Sequence, residues 1–293
     1  LSIWYTLPAT SNESESDGYG RISVESIYYG QYSLMDAALD KVARQRPGIA
    51  DIYFVGFAGD ASQKVFLKEA RSVGQLFDKR FDTAGRSMLL INNRATVYET
   101  PLANGNNLWY GLKEIGRILD PEEDVLFLFL TSHGWKDLLS VNFWPLQLDN
   151  MTAEDLRKTL DDSGIKWRVI VVSACYSGSF IDDLRTDHSL IITAAHADRT
   201  SFGCGDEFDF TYFGRAYFDQ ALRETFSFIE AFGSASKAIE QRESEEGLTP
   251  SQPQIDIGSA IRPKLDEIGK RLFQLHKDQV KIGAHGLSGQ ARE

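Results

Sequence analysis

Cysteine is nearly absent from this chain: 293 residues hold two, Cys175 and Cys204. Two thiols cannot build a disulfide framework, and their spacing suits no zinc ribbon. Either they form one bridge or one of them does chemistry. Long hydrophobic runs are missing as well. The longest clean one is Val125-Leu126-Phe127-Leu128-Phe129-Leu130, far short of the about 20 apolar residues that cross a bilayer. No positively charged start is followed by an apolar stretch. Basic charge is in deficit, with 31 Lys and Arg against 42 Asp and Glu and a formal net charge of −11. Such a chain repels phosphate backbones, and no basic run is interleaved with aromatics, which excludes a nucleic-acid binder. No residues are grouped at i, i+4 or C-x-x-C spacing, so no metal is expected. There is no internal repeat.

What is present is a core. Hydrophobic residues make up 42% and aromatics 12%, which excludes general disorder. At about 150 residues per domain, the length suits one large α/β domain or two smaller ones. The chain begins at Leu1 rather than Met, so it is expected to be a processed or excised piece from whose front an anchor or signal could have been removed. Ser11 to Gly20 reads SNESESDGYG, a polar acidic stretch with no apolar period. Residues 1–32 are accordingly expected to be an arm and linker, 33–278 a folded domain, and 279–293 a flexible tail.

Within the domain the periodicity alternates. Apolar spacing predicts a helix from Ser33 to Arg46, stopped by Pro47-Gly48, then a buried strand over Ile52–Phe57. A helix over Lys64–Phe81, a strand over Met88–Ile91 and a helix over Asn107–Leu119 follow. Val125–Thr131 is fully apolar, as a central parallel strand should be. Leu138–Phe143 suggests a short hairpin or edge element. Thr152 with Asp155 reads as a capping box opening a helix to Asp162. Strands over Val169–Val172 and Leu190–Ala194 precede helices over Tyr212–Glu224 and Ser227–Glu245. A short strand at Gln254–Ile257 and a helix from Pro263 to His276 close the domain. Strands separated by helices imply a mostly parallel sheet covered on both faces, with sites at the carboxyl ends of its strands.

Two strand ends carry reactive side chains. The third strand runs into Thr131-Ser132-His133-Gly134-Trp135, and the fourth into Ser173-Ala174-Cys175-Tyr176-Ser177-Gly178-Ser179. If these strands are neighbours, an imidazole and a thiol emerge side by side, the arrangement that activates a thiolate. Gly134 lets its N–H approach a substrate carbonyl. Ser177-Gly178-Ser179 is expected to open a helix whose N–H groups favour thiolate and oxyanion. A lone strand-end cysteine is more often a small buried hydrophobe, and a lone histidine a satisfied polar residue. It is the joint placement that argues for chemistry.

These residues resemble a known family. His-Gly after one strand and Ala-Cys after the next, with 42 positions between His133 and Cys175, look like the caspase-like cysteine peptidases. Within them the likeness is to the legumain family, which includes the catalytic subunit of GPI transamidase. Thr193-Ala194-Ala195-His196-Ala197-Asp198-Arg199-Thr200-Ser201-Phe202-Gly203-Cys204 and Thr211-Tyr212-Phe213-Gly214 resemble further segments of that family. The resemblance spans roughly residues 50–220. It implies a three-layer α/β/α caspase-like sandwich around a mostly parallel sheet of about six strands, with Cys175 as nucleophile and His133 as general base and acid. The N–H groups of Gly134 and Cys175 would form the oxyanion hole. It also implies peptide or protein substrates, no metal or organic cofactor, synthesis as a zymogen with possible self-processing, and a secretory, periplasmic or membrane-attached setting.

The chain departs from the family pattern where specificity is set. An acidic pocket residue two positions before the nucleophile is Ser173 here, and a second, after the Thr-Tyr-x-Gly stretch, is Arg215. With Ser201, these are the S1 candidates. Their charges disfavour a basic P1 residue and suit asparagine, aspartate or a small polar one. The orienting asparagine of the family has no match in Gly59-Asp60-Ala61-Ser62-Gln63, leaving Asp60 or Gln63 to orient His133. Three alternatives stand. A transpeptidase or ligase would use the same Cys–His pair with an amine acceptor. A caspase-like module without activity would use the fold for interaction. A cysteine hydrolase of the α/β-hydrolase type would take its base from His188 or His196, but Ser173 and Ser177 stand where its elbow needs glycine.

Overall fold

The computed structural model describes residues 22–288; the acidic stretch from Ser11 to Gly20 lies outside them. A six-stranded sheet forms the middle layer, in the order β2 (Ser87–Ile91), β1 (Ile52–Ala58), β3 (Val125–Thr131), β7 (Trp167–Ser173), β8 (Ser189–Thr193), β9 (Gln254–Ile257). All neighbours pair in parallel except β8 and β9.

The central strand β3 shows why the sequence forms this layer. Its side chains alternate across the sheet. Leu126, Leu128 and Leu130 join the core of one face, and Val125, Phe127 and Phe129 join the other. Both faces are covered, so both must be apolar. The leucine face packs on α1 (Val24–Leu39), α3 (Gly105–Ile118) and α4 (Ala153–Asp162). The phenylalanine face meets α2 (Lys64–Arg80), the helical stretch from Tyr212 to Glu224, α8 (Phe228–Glu245) and α9 (Ile261–Ser288). Aromatic rings dominate that second core: Phe77 lies 4.3 Å from Phe127 and 4.6 Å from Phe81 by ring centroids.

The capping signal read at Thr152 is realised. Thr152 and Asp155 form a reciprocal capping box on α4, and Ser227 caps α8. Three elements differ from the sequence reading. The first helix begins at Val24, capped by Ser23, and ends at Leu39. It buries Ile27 against Val97, Leu102, Phe143 and Leu146, while Tyr28, Tyr29 and Tyr32 stay exposed and blur its apolar stripe. The last helix runs from Ile261 to Ser288, beyond the expected end at His276, and residues 289–293 of the expected tail lie outside the described residues. The segment from Tyr212 to Glu224 is helical throughout, but Arg215–Ala221 is wound as a π-helix.

A small second sheet stands on the carboxyl rim, in the order β4 (Gly134–Trp135), β5 (Leu138–Leu139), β6 (Met151–Thr152). β4 and β5 form a tight hairpin turning at Lys136 and Asp137, with Asp137 at φ 58°. The hairpin is tied to the segment after β7 by the Asp137 N–H, which donates to Ser179 Oγ at 2.8 Å.

Candidate active site

Thr131 and Ser173 are register partners at the ends of β3 and β7. The pairing continues one step, since the Ser132 N–H donates to the Ser173 carbonyl at 3.2 Å. His133 and Cys175 therefore leave adjacent strands from matched positions, two residues beyond a shared rung. Gly134 closes the gap between the two segments. A Cβ at 134 would fall 2.6 Å from the Cys175 carbonyl oxygen and 2.9 Å from the Ala174 Cβ. A glycine is needed there by close approach of backbone to backbone.

The hairpin sets where the Gly134 N–H points. Gly134 faces Leu139, between the Trp135–Leu138 pair and the rung where the Ser140 N–H donates to the His133 carbonyl at 2.9 Å. Hydrogen-bonded and non-hydrogen-bonded pairs alternate in an antiparallel ladder. The Gly134 N–H thus turns away from β5. The Cys175 N–H has no acceptor among the described residues.

The turn after Cys175 is tightly held. Tyr176 adopts a left-handed conformation at φ 59°, a strained state for a non-glycine residue at a cost of about 1–3 kcal/mol. The Tyr176 N–H donates to the Arg199 carbonyl at 2.7 Å, and the Gly178 N–H to the Ala195 carbonyl at 2.9 Å. The Ala195 N–H donates to Ser177 Oγ at 3.2 Å. The expected helix at Ser177 is a 3₁₀ turn over Ser177–Phe180 followed by one α-turn, α5 (Ile181–Leu184). So short a helix has little dipole, and its Gly178 N–H is already spent on the loop after β8.

That loop supplies the donor instead. The Ser201 N–H donates to Cys175 Sγ at 3.3 Å, and Sγ lies 3.6 Å from the Ser201 carbonyl and 3.8 Å from its hydroxyl. His133 stacks edge-on against Phe66 of α2, centroids 5.1 Å apart. Both cysteines are free. Cys204 packs beside Phe208 on the Val65–Phe66 cluster of α2, and burial, then the neighbouring Cys175 and Glu69, push its thiol up to about 12. Two residues of its loop anchor on α2: Asp206 Oδ1 accepts from the Lys64 N–H at 2.5 Å, and Lys68 Nζ reaches the carbonyls of Asp206 and Phe208 at 3.2 Å.

Of the specificity candidates, Ser201 meets Cys175 directly. Ser173 is buried, its hydroxyl 3.3 Å from Thr211 Oγ1. Arg215 does not join them: its guanidinium pairs with Asp219 at 3.2 Å, stacks over Phe210, and faces a groove beside α8. Neither candidate for orienting the imidazole bonds to it. Asp60 is buried and accepts from the Ser62 N–H and hydroxyl, from Ser140 Oγ at 2.9 Å and from Asn142 Nδ2 at 3.3 Å. Its link to His133 runs through Ser140. Gln63 caps α2 without a side-chain bond, its Oε1 buried and unpartnered. His188 sits on the opposite rim against Trp167, and His196 pairs with Asp198 at 2.5 Å; neither meets Cys175, which removes the α/β-hydrolase reading. Trp135 is exposed at the hairpin.

Sequence reasoning missed two features: the Ser201 backbone donor, and a buried carboxyl, Glu69, behind the two strand ends. Glu69 lies in the apolar phase of α2 between Phe66 and Val73, and that misplaced charge was the available signal. Among the described residues, no group of three His, Cys, Asp or Glu side chains is placed to hold a metal, and no helix is long and apolar enough to cross a membrane.

No curated protein sequence matches the chain. Caspase-1 from Spodoptera frugiperda shares the fold at a TM-score of 0.50 and 11% identity, over 74% of this chain and 88% of that one. The model of the Peptidase C13 family matches residues 100–263, more than half of the chain and both strand-end motifs. The chain is a caspase-fold protein and belongs to the Peptidase C13 family.

Proposed function

We propose that the chain is a cysteine endopeptidase in which Cys175 is the nucleophile and His133 the general base and acid. The observation that carries this reading is the matched departure of His133 and Cys175 from register partners on β3 and β7, with Gly134 packed on the Cys175 carbonyl. In the first step His133 takes the thiol proton, and the thiolate adds to the scissile carbonyl. The oxyanion lies between the N–H groups of Gly134 and Cys175. Collapse forms the acyl-thioester as the protonated imidazole passes its proton to the leaving amine, and water, deprotonated by His133, then releases the acid. Ser201 holds the resting sulfur with its N–H and occupies the wall beside it.

The P1 preference follows from the same neighbourhood. Ser201 offers a hydroxyl beside Cys175 Sγ, and neither it nor the buried Ser173 carries a negative charge, which supports asparagine, aspartate or a small polar residue at P1 over lysine or arginine. A fluorogenic peptide library scanned at P1 tests both parts, with wild type and Cys175→Ala compared from pH 4 to 8. Cleavage after uncharged polar or acidic residues, absent in the variant, is the expected result. Cleavage that survives in Cys175→Ala contradicts the nucleophile, and a preference for lysine or arginine contradicts the P1 reading.

A further inference from the structure

The carboxyl group behind the two strand ends has no part in the chemistry just described. Glu69 projects from α2 into the sheet end and is fully buried. Its Oε2 meets Thr131 Oγ1 at 2.5 Å. Its Oε1 accepts from the Thr211 N–H at 3.0 Å and from Thr211 Oγ1 at 2.7 Å. Thr211 Oγ1 in turn accepts from the Gly214 N–H at 2.9 Å and lies 3.3 Å from Ser173 Oγ. The space is made to fit: a Cβ at Gly214 would stand 1.7 Å from Glu69 Oε1.

One hydrogen-bonded path therefore runs Thr131–Glu69–Thr211–Ser173. Its two ends are register partners on the rung that precedes His133 and Cys175. We propose that Glu69 is the positioning residue of this site: through Thr131 and Thr211 it locks the carboxyl ends of β3 and β7 and so fixes the imidazole against the thiol. The proposal rests on the Cys175–His133 reading above.

The chemistry of the path argues for position rather than charge. Burial raises the Glu69 pKa, against the hydrogen bonds from Thr131 and Thr211. No cationic side chain bonds to it, and the titratable group facing it is the partly buried Cys204 thiol. Thr131 Oγ1 donates to Oε2 and Thr211 donates to Oε1; a glutamine keeps the length and both links, its oxygen accepting from Thr211 and its amide nitrogen donating to a Thr131 hydroxyl that rotates to accept. An apolar side chain of similar size fills the volume but leaves both threonines unlinked.

Iodoacetamide alkylation of Cys175, followed by mass spectrometry of the full chain against pH, reads the pair without needing a peptide substrate. The variants are Glu69→Gln, Glu69→Leu and Thr131→Val, each checked by circular dichroism. At pH 6 wild type and Glu69→Gln are expected to be alkylated at the same rate. In Glu69→Leu and Thr131→Val alkylation at pH 6 should slow by about tenfold or more, as a thiol that has lost its imidazole partner reacts. Should Glu69→Leu not fold, Thr131→Val decides. Folded variants that keep the wild-type rate would overturn the proposal, as would Glu69→Gln slowing as far as Thr131→Val. A wild-type rate at pH 6 no faster than that of His133→Ala would instead overturn the Cys175–His133 pairing, and the positioning role with it.

Discussion

Gly134 lies against Cys175 so closely that a single methyl group at 134 would stand 2.6 Å from the Cys175 carbonyl oxygen. The hairpin carrying His133 and the turn carrying Cys175 are thus one rigid unit, pinned a second time by the Asp137 N–H on Ser179 Oγ. Matched strand ends bring the two side chains to one rim, and these contacts hold them there.

Gly134→Ala should fold but misplace both the imidazole and the oxyanion donor. A displacement of about 1 Å in such a site costs on the order of 10²-fold in rate. We expect kcat/KM on the best library peptide to fall by at least that much, with an unchanged circular dichroism spectrum. Near wild-type turnover would show that the backbone contact does not set the site.

The two thiols should differ sharply toward alkylation. Both thiols are partly exposed, but Cys204, pushed up to about 12 by desolvation and then by the neighbouring Cys175 and Glu69, carries almost no thiolate at neutral pH, whereas Cys175 accepts a backbone N–H bond from Ser201. Iodoacetamide at pH 7 should label Cys175 alone, and peptide mapping checks it. Labelling of Cys204 at a comparable rate would contradict the burial argument.

Asp60 acts on His133 at one remove. Asp60→Ala frees Ser140, whose N–H holds the His133 carbonyl. Turnover should drop by about tenfold or more with KM little changed, as expected when a reacting group loses its orientation. A matching rise in KM with kcat intact would assign Asp60 to substrate binding instead.

The far end of the sheet gives a stability test. Burial pushes Asp82 up, but the guanidinium groups of Arg271 and Arg46 outweigh it and hold its carboxyl below the usual carboxylate range. Arg271 Nη1 meets Asp82 at 2.7 Å and Nη2 meets the Ala50 carbonyl at 3.1 Å, anchoring α9. A depressed acid stabilises the fold above its unfolded pKa of about 3.9 and loses that contribution as pH falls through the folded value. Asp82→Asn should therefore cost about 1–3 kcal/mol at pH 7 and nearly nothing at pH 2 in denaturant melts. An equal cost at both pH values would contradict the ionic anchor.

The sheet was legible because its central strands are apolar on both faces: Val125–Thr131 was located to the residue, as was the edge strand Gln254–Ile257, which alternates polar Gln254 and Asp256 with Ile255 and Ile257, and the six strands follow. The facing of His133 and Cys175 was also legible, since both follow strands of seven residues in matched register. What escaped depends on loops and on exceptions to pattern. No periodicity tells where the backbone after β8 returns, so the Ser201 donor at Cys175 was invisible. The run Ser177-Gly178-Ser179 suggested a helix, but strain at Tyr176 and bonds to Ala195 and Arg199 make it a 3₁₀ turn. Arg215 was placed by analogy of position, and the helix that carries it turns its guanidinium to Asp219.

The central claim is that His133 and Cys175 work as a pair, and a double-mutant cycle on peptide hydrolysis tests it most directly. Cys175→Ala, His133→Ala and the double variant are compared with wild type in kcat/KM. Residues that act as a unit are grossly non-additive. The account expects each single variant to lose on the order of 10³-fold or more, as removal of one member of such a unit does, with the double variant no slower than the worse single. His133→Ala retaining activity within about tenfold of wild type, or losses that multiply in the double variant, would contradict it.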